Sequence, residues 1–236
     1  MTWAIGSQVF EIRFDKEFLY WDRTGAIAKR LCQRMPSLEL SSATPGETIL
    51  KDGEAQITCR YSYNRASVEQ TTPFDDPGGF VPAVEFIFPL LLNTIEVSTI
   101  TRVGHRLTYR YPFSTLELRD AALRSLLARH RFADGFVEAM KDERLKQKAL
   151  STVVVRFEDD KTGYRLELRS GQSTFQLPGG APAAVLASVP PDEFCILLDV
   201  DIFTTAPLPA SQLLADELVK SGLKLMNTRI LPLFQP

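Results

Sequence analysis

The sequence predicts an α+β fold in which a mainly antiparallel sheet carries helices packed on one face. Alternating apolar and polar residues, the pattern of a half-buried strand, occur at residues 9–14, 54–63 and 99–111. A short loop ending in Gly163 joins two further apolar stretches and favours a hairpin of residues 151–157 and 164–168. Predicted strands outnumber predicted helices, so the sheet should determine the architecture.

The strand pattern is strongest at residues 194–203, which read Phe-Cys-Ile-Leu-Leu-Asp-Val-Asp-Ile-Phe. Val, Ile and Phe favour strands, and ten residues without Pro or Gly predict a strand in the core. Successive side chains alternate between the two faces of a strand. One face is therefore wholly apolar, whereas the other places Asp199 and Asp201 among apolar neighbours.

The strand at 9–14 is followed by a predicted helix, which Thr24 caps and Pro36 ends. The pattern then predicts a short strand, a polar connection and a longer strand, at 38–40, 41–53 and 54–63. Residues 71–79 are a turn-rich loop, long enough to serve as a binding loop.

The apolar run after this loop is predicted to be a strand at 83–88 that Pro89 breaks. Residues 90–97 fit either a short helix or more strand. The long strand at 99–111 places His105 on an apolar face. Its opposite face carries three arginines at a spacing of four, which are Arg102, Arg106 and Arg110.

Ser114 and Glu117 form a capping box at the start of a helix that should reach His130. The elements predicted after it are a charged helix at 134–148, the hairpin, a strand at 173–177, a loop at 178–191 and a helix at 210–221 that Gly222 caps. The 236 residues fit one α+β domain, 1–236, or two related halves of about 1–112 and 113–236.

The composition is that of a soluble globular protein, with 44% apolar and 24% charged residues. The net charge of −2 gives no overall attraction to nucleic acid. The sequence shows neither a signal peptide nor a membrane span, which predicts a cytoplasmic protein without membrane contact. Three widely separated cysteines predict reduced, buried thiols, and there is no Cys-x-x-Cys pair to hold a metal.

Asp199 and Asp201 stand at positions i and i+2 of a strand, so their Cα atoms should lie ~6.6 Å apart on one face. Two carboxylates so placed can bind Mg²⁺ in a phosphoryl-transfer or nuclease-like enzyme. That site needs a third acid, for which Glu85 and Glu11 are candidates. The alternative is that both aspartates form cross-strand ion pairs with arginines such as Arg13 or those at 102, 106 and 110. The sequence favours the ion pairs, with no catalytic residue, metal or cofactor.

Arg102, Arg106 and Arg110 are also candidates for binding nucleic acid, because the guanidinium group recognises phosphate in a bidentate manner. Tyr109 and Tyr111 lie on the opposite strand face, so no stacking platform forms beside the arginines. His105, on an apolar face, is typical of a hydrogen-bonded core histidine.

Three stretches resemble a sporadically distributed, uncharacterised prokaryotic family of about this length. Thr-Arg-Val-Gly-His-Arg-Leu-Thr-Tyr-Arg-Tyr at 101–111 is similar to its strand with the pattern Arg-hydrophobic-Gly-x-Arg-Tyr. Leu-Asp-Val-Asp-Ile-Phe at 198–203 resembles its Asp-hydrophobic-Asp strand, and Val-Phe-Glu-Ile-Arg-Phe at 9–14 its first strand. The resemblance implies no activity or cofactor. The family's patchy distribution implies an association with bacterial antiviral defence loci.

These observations predict a non-enzymatic, cytoplasmic binding or accessory protein that acts through contacts with another protein. Two alternatives remain open: a Mg²⁺-dependent enzyme using Asp199 and Asp201, and a nucleic-acid binder using Arg102, Arg106 and Arg110.

Overall fold

The computed structural model describes residues 2–71, 80–129, 152–158, 160–173 and 193–235. Its strands are β1 (Ala4–Phe14), β2 (Leu38–Ala43), β3 (Thr48–Asp52), β4 (Ile57–Tyr61), β5 (Arg65–Thr71), β6 (Thr99–Phe113), β7 (Val153–Glu158), β8 (Thr162–Ser173), β9 (Glu193–Thr204) and β10 (Leu208–Pro209). Its helices are α1 (Leu19–Arg34), α2 (Phe80–Thr94), α3 (Leu116–Arg129) and α4 (Ala215–Leu225). A π-helical turn, Met226–Ile230, and a 3-10 turn, Leu231–Phe234, follow α4.

The described strands form one ten-stranded sheet of order β2-β3-β4-β5-β1-β6-β9-β8-β7, with β10 beside β6. Every pair is antiparallel. The predicted α+β class and antiparallel pairing are confirmed. β9, the strand with the strongest pattern, lies between β6 and β8 in the interior of the sheet.

The four helices pack on one face of the sheet, as the sequence predicts. Tyr20 of α1 contacts Tyr61 of β4 edge-on, with ring centroids 6.1 Å apart. Phe88 of α2 packs on Phe10 of β1 at 5.0 Å. Leu123, Leu126 and Leu127 of α3 join the buried cluster over β6, β8 and β9, and α4 packs against the same face of β6. Burial of these apolar surfaces is the main stabilising contribution.

In the described parts of the chain, the order of elements in residues 4–94 recurs in residues 99–225. Each run begins with a long strand and a helix, continues with strands of the same sheet, and ends with a helix. The two first strands, β1 and β6, pair with each other at the centre of the sheet. The second run begins at Thr99, ahead of the 112/113 boundary that the sequence suggests.

The predicted strand at 83–88 is wrong, because these residues lie in helix α2. Two prolines share the exposed side of α2 with Glu85 and Asn93, so the polar stripe that marks a surface helix is weak in its sequence. Pro89 lies inside the helix rather than at its end. Proline has no N–H, so the Glu85 carbonyl loses its usual helical partner there.

Three predicted helix ends are also wrong. Thr24 lies inside α1, where its hydroxyl is 2.7 Å from the Thr48 hydroxyl of β3 and fixes the helix to the sheet. The cap of α3 is Thr115, whose Oγ1 accepts a hydrogen bond of 3.3 Å from the Leu118 N–H, rather than Ser114. Gly222 lies inside α4, where it allows close approach to His105.

Three of the described strands escaped prediction, of which β10 is only two residues long. β3 lies within the segment interpreted as a polar connection, and β5 has too few apolar residues to show a clear pattern. Several predictions fall outside the described residues: the loop at 72–79, His130, the helix at 134–148, the strand beyond 173 and the loop at 178–191.

The three cysteines are free thiols in the structure, and two of them are buried. Burial raises the pKa of Cys59 to about 12, with Cys32 nearby adding to the shift, which keeps this thiol protonated and unreactive. No helix in the described part of the chain has the length and apolar composition that crossing a lipid bilayer requires.

Candidate functional site

The sheet face opposite the helices carries most of the charged strand residues, and we call it the charged face. The strand register assigns ten basic residues to it: Arg13, Lys51, Arg60, Arg65, Arg102, Arg106, Arg110, Arg156, Arg165 and Arg169. The same register assigns seven acidic residues: Glu11, Glu39, Glu69, Glu158, Glu167, Asp199 and Asp201. The face is therefore mixed in charge, with an excess of arginine.

The two aspartates of β9 are bound by arginines of β6. Arg106 holds Asp199 in a bidentate pair, with Nε donating to Oδ1 at 2.8 Å and Nη2 donating to Oδ2. Arg102 Nη2 donates to Asp201 Oδ2 at 2.7 Å. The cross-strand pairing expected from the sequence is therefore present, and both pairs run diagonally, since Arg106 stands opposite Asp201 in the register.

Gly104 makes room for the ion pair between Arg102 and Asp201. A Cβ at Gly104 would lie 3.1 Å from Arg102 Nη1 and 3.4 Å from Asp201 Oδ1, so the missing side chain lets Arg102 lie across β6 to reach Asp201. Arg102 also lies 4.8 Å above the ring of Phe203, and Arg156 lies 5.4 Å from the same ring. Two cation–π contacts thus fix Phe203 between guanidinium groups.

In three ion pairs of this face the carboxylate is less exposed than its arginine, whereas Arg102 and Asp201 are similarly exposed, at 25% and 21%. The side chain of Asp199 is 2% exposed, whereas that of Arg106 is 53% exposed. Glu11 and Arg13 show the same order, at 23% and 54%, as do Glu167 and Arg165. The hydrogen bonds that Arg106 donates to Asp199 raise the pKa of the Arg106 guanidinium group. The surface offered to a partner is therefore rich in guanidinium groups, with their counter-ions beneath.

The other sequence candidates do not complete a metal site. Glu85 is on α2, across the sheet from the aspartates, and Glu11 is bound by Arg13 and Arg102. Within the described ranges, no three His, Cys, Asp or Glu side chains are grouped to hold a metal ion. Arg110 stands opposite Leu197 and packs beside Gly6.

We expect Gly163→Ala to destabilise the protein by about 1–2 kcal/mol, because a Cβ there would lie 2.3 Å from the Phe203 ring. The ring would have to leave its position between Arg102 and Arg156. Gly25→Ala, inside α1 with no atom within 4 Å of the new methyl group, is the matched control and should stabilise by about 0.5–1 kcal/mol. Urea unfolding of the two variants measures both changes, and a neutral Gly163→Ala would contradict the contacts of Phe203.

His105 forms a second feature, on the helix side of the sheet, which sequence reasoning treated as an ordinary core histidine. It is 3% exposed, and neither ring nitrogen has a hydrogen-bond partner among the described residues. Phe80 stacks over the imidazole at 6.5 Å and Phe10 lies at 6.3 Å. Burial lowers the pKa of His105 to about 4, so the ring is neutral at pH 7. The alternating pattern of β6 identified its face but could not show that it lacks a partner.

His105 lines a cavity of about 240 Å³ between α4 and strands β6, β8 and β9. Apolar side chains supply much of the lining, from Phe10, Val103, Ile202, Leu218 and Leu225. Ser221 also lines the cavity and is exposed, so the cavity reaches the surface beside α4.

In comparisons with known proteins, no protein-family model matches this chain and no curated protein matches it significantly. The charged face and the cavity are therefore the features that bear on the function of this protein.

Proposed function

We propose that this chain is a non-enzymatic binding protein whose charged face docks another protein. The observation that carries the proposal is the layering of that face, in which the arginines of three ion pairs are more exposed than their carboxylates. Among the residues that the structure describes, nine of sixteen arginines belong to this face, but only one of six lysines. Protein interfaces are enriched in arginine and depleted of lysine in the same way.

The ion pairs argue against the enzymatic alternative. Both oxygens of Asp199 accept hydrogen bonds from Arg106, so a Mg²⁺ ion would have to displace a bidentate guanidinium group. Asp201 shares Arg102 with Glu11. The arginines of β6 and the carboxylates that they bind therefore neutralise one another within the sheet.

A protein with an acidic surface fits the charged face better than nucleic acid does. The seven acidic residues of the face offset most of the attraction that its ten basic residues would exert on a polyanion. Phe203, the aromatic residue nearest the aspartates on this face, is held between Arg102 and Arg156 and is not free to stack on a base. The family resemblance adds the expectation that the partner is encoded in the same defence locus.

Site-specific photo-crosslinking in the native cells tests this proposal. The photoreactive residue p-benzoylphenylalanine replaces Val154, which is 50% exposed on the charged face, or Leu214, which is 54% exposed at the start of α4. We expect a discrete protein adduct from position 154 and none from position 214. Arg156→Glu with Arg169→Glu should abolish that adduct, because both arginines are exposed on the same face.

Arg30→Glu on the exposed side of α1 is the matched charge reversal and should leave the adduct unchanged. An adduct that nuclease removes would instead support the nucleic-acid alternative. Equal adducts from positions 154 and 214, or an adduct that survives the double reversal, would contradict docking through the charged face.

A further inference from the structure

We infer that the cavity beside His105 is a binding site for a small, planar molecule of one or two rings that carries a single N–H or O–H group. This site lies on the helix side of the sheet and is independent of docking through the charged face. Its three supporting features are its size, its apolar lining and one buried polar side chain without a partner.

The size of the cavity limits the ligand. A cavity of 150 Å³ lined by apolar side chains is large enough to bind benzene. The cavity here is about 240 Å³, which is room for a fused two-ring molecule. The lining is rich in apolar side chains, including Phe10, Ile202 and Leu218, so burying an aromatic ring there is favourable.

His105 supplies the polar recognition. The Ser221 hydroxyl donates to the Leu218 carbonyl at 3.1 Å, and Thr204 Oγ1 accepts from the Val103 N–H at 3.0 Å. These two hydroxyl groups of the lining are thus engaged, whereas both nitrogens of His105 lack a partner among the described residues. A neutral imidazole offers one donor and one acceptor. Both nitrogens have almost no accessible surface in this structure, so the imidazole has to turn toward the cavity to accept the single N–H or O–H of a ligand whose rings lie on the apolar wall.

Water is a poorer occupant of this space. A buried water needs two to four polar partners, and each water takes roughly 30 Å³. The cavity has the volume of several waters but offers mainly apolar wall. An unpaired polar group in such a site is costly, and a ligand that pairs with it removes that cost.

Indole and indene test the inference, since the two molecules share a shape and differ in the N–H group. Each is titrated into the wild-type protein and followed by amide chemical shifts and by the melting temperature. We expect indole to raise the melting temperature and to shift the amides of Gly222, Leu225 and Val103. Indene should bind at least fivefold more weakly. This comparison uses the unchanged protein, so it does not depend on whether any variant folds.

Two variants test the geometry. Gly222→Ala places a Cβ 2.8 Å from His105 Nδ1 and should weaken indole binding at least tenfold by displacing the ring. His105→Phe removes the polar group and should make the affinities for indole and indene equal. The inference is overturned if neither probe binds wild type, if indene binds as tightly as indole, or if Gly222→Ala binds both unchanged.

Discussion

Replacing Arg106 with methionine should destabilise the protein by about 3 kcal/mol, because the variant leaves the Asp199 carboxylate buried without its counter-ion. The side chain of Asp199 is 2% exposed and depends on Arg106 for two hydrogen bonds. Urea unfolding at pH 7 measures the change in the free energy of unfolding.

Asp199→Asn is the matched control and should cost only about 1 kcal/mol, since the Arg106 side chain that it leaves behind is half exposed and can be hydrated. Combining the two substitutions should cost less than the sum of the single ones, because the combination leaves no buried charge. If Asp199→Asn costs as much as Arg106→Met, the layering of carboxylates beneath guanidinium groups is wrong.

Lowering the pH from 6.5 to 4 should remove about 3 kcal/mol of stability through His105 alone. Burial lowers its folded-state pKa to about 4 from the ordinary value of 6.5, so the unfolded chain binds the proton more readily. The contribution is complete above pH 6.5, declines as the pH falls, and levels off near pH 4. The aromatic rings of Phe10 and Phe80 offer no counter-charge to the imidazolium.

The measurement is the free energy of unfolding at several pH values for wild type and for His105→Phe. Carboxylates titrate in both proteins, so the difference between the two curves isolates His105. That difference should change by about 3 kcal/mol across this pH range. Parallel curves would mean that the histidine has a charged or hydrated partner in the folded protein.

The strands that position the charged face were predictable because the sequence patterns that indicate them are local. β6 alternates over residues 99–111, and β9 is an apolar run that Asp199 and Asp201 interrupt. Carboxylates and arginines on such neighbouring strands already indicate ion pairs. α2 was mistaken for a strand since two prolines share its exposed side with Glu85 and Asn93, which weakens the polar stripe that distinguishes a helix. β5 lacks a strong apolar pattern. Its strand conformation depends on pairing with β1 on one side and β4 on the other.

The details of the site depend on contacts between distant parts of the chain. Gly163 and Phe203 are separated by forty residues, and only the register of β8 with β9 brings them together. In the same way, Gly222 meets His105 because α4 packs over β6. The missing hydrogen-bond partner of His105 is a property of the assembled fold. Local patterns cannot reveal it.

The central claim is that Asp199 and Asp201 serve as counter-ions of Arg106 and Arg102. Thermal unfolding of wild type and of the double variant Asp199→Asn/Asp201→Asn, each with and without Mg²⁺ or Mn²⁺, tests it most directly. We expect the double variant to melt at a lower temperature than wild type, and we expect the metal to change the melting temperature of neither protein. A metal-dependent stabilisation of wild type that the double variant abolishes would contradict it and favour the enzymatic alternative.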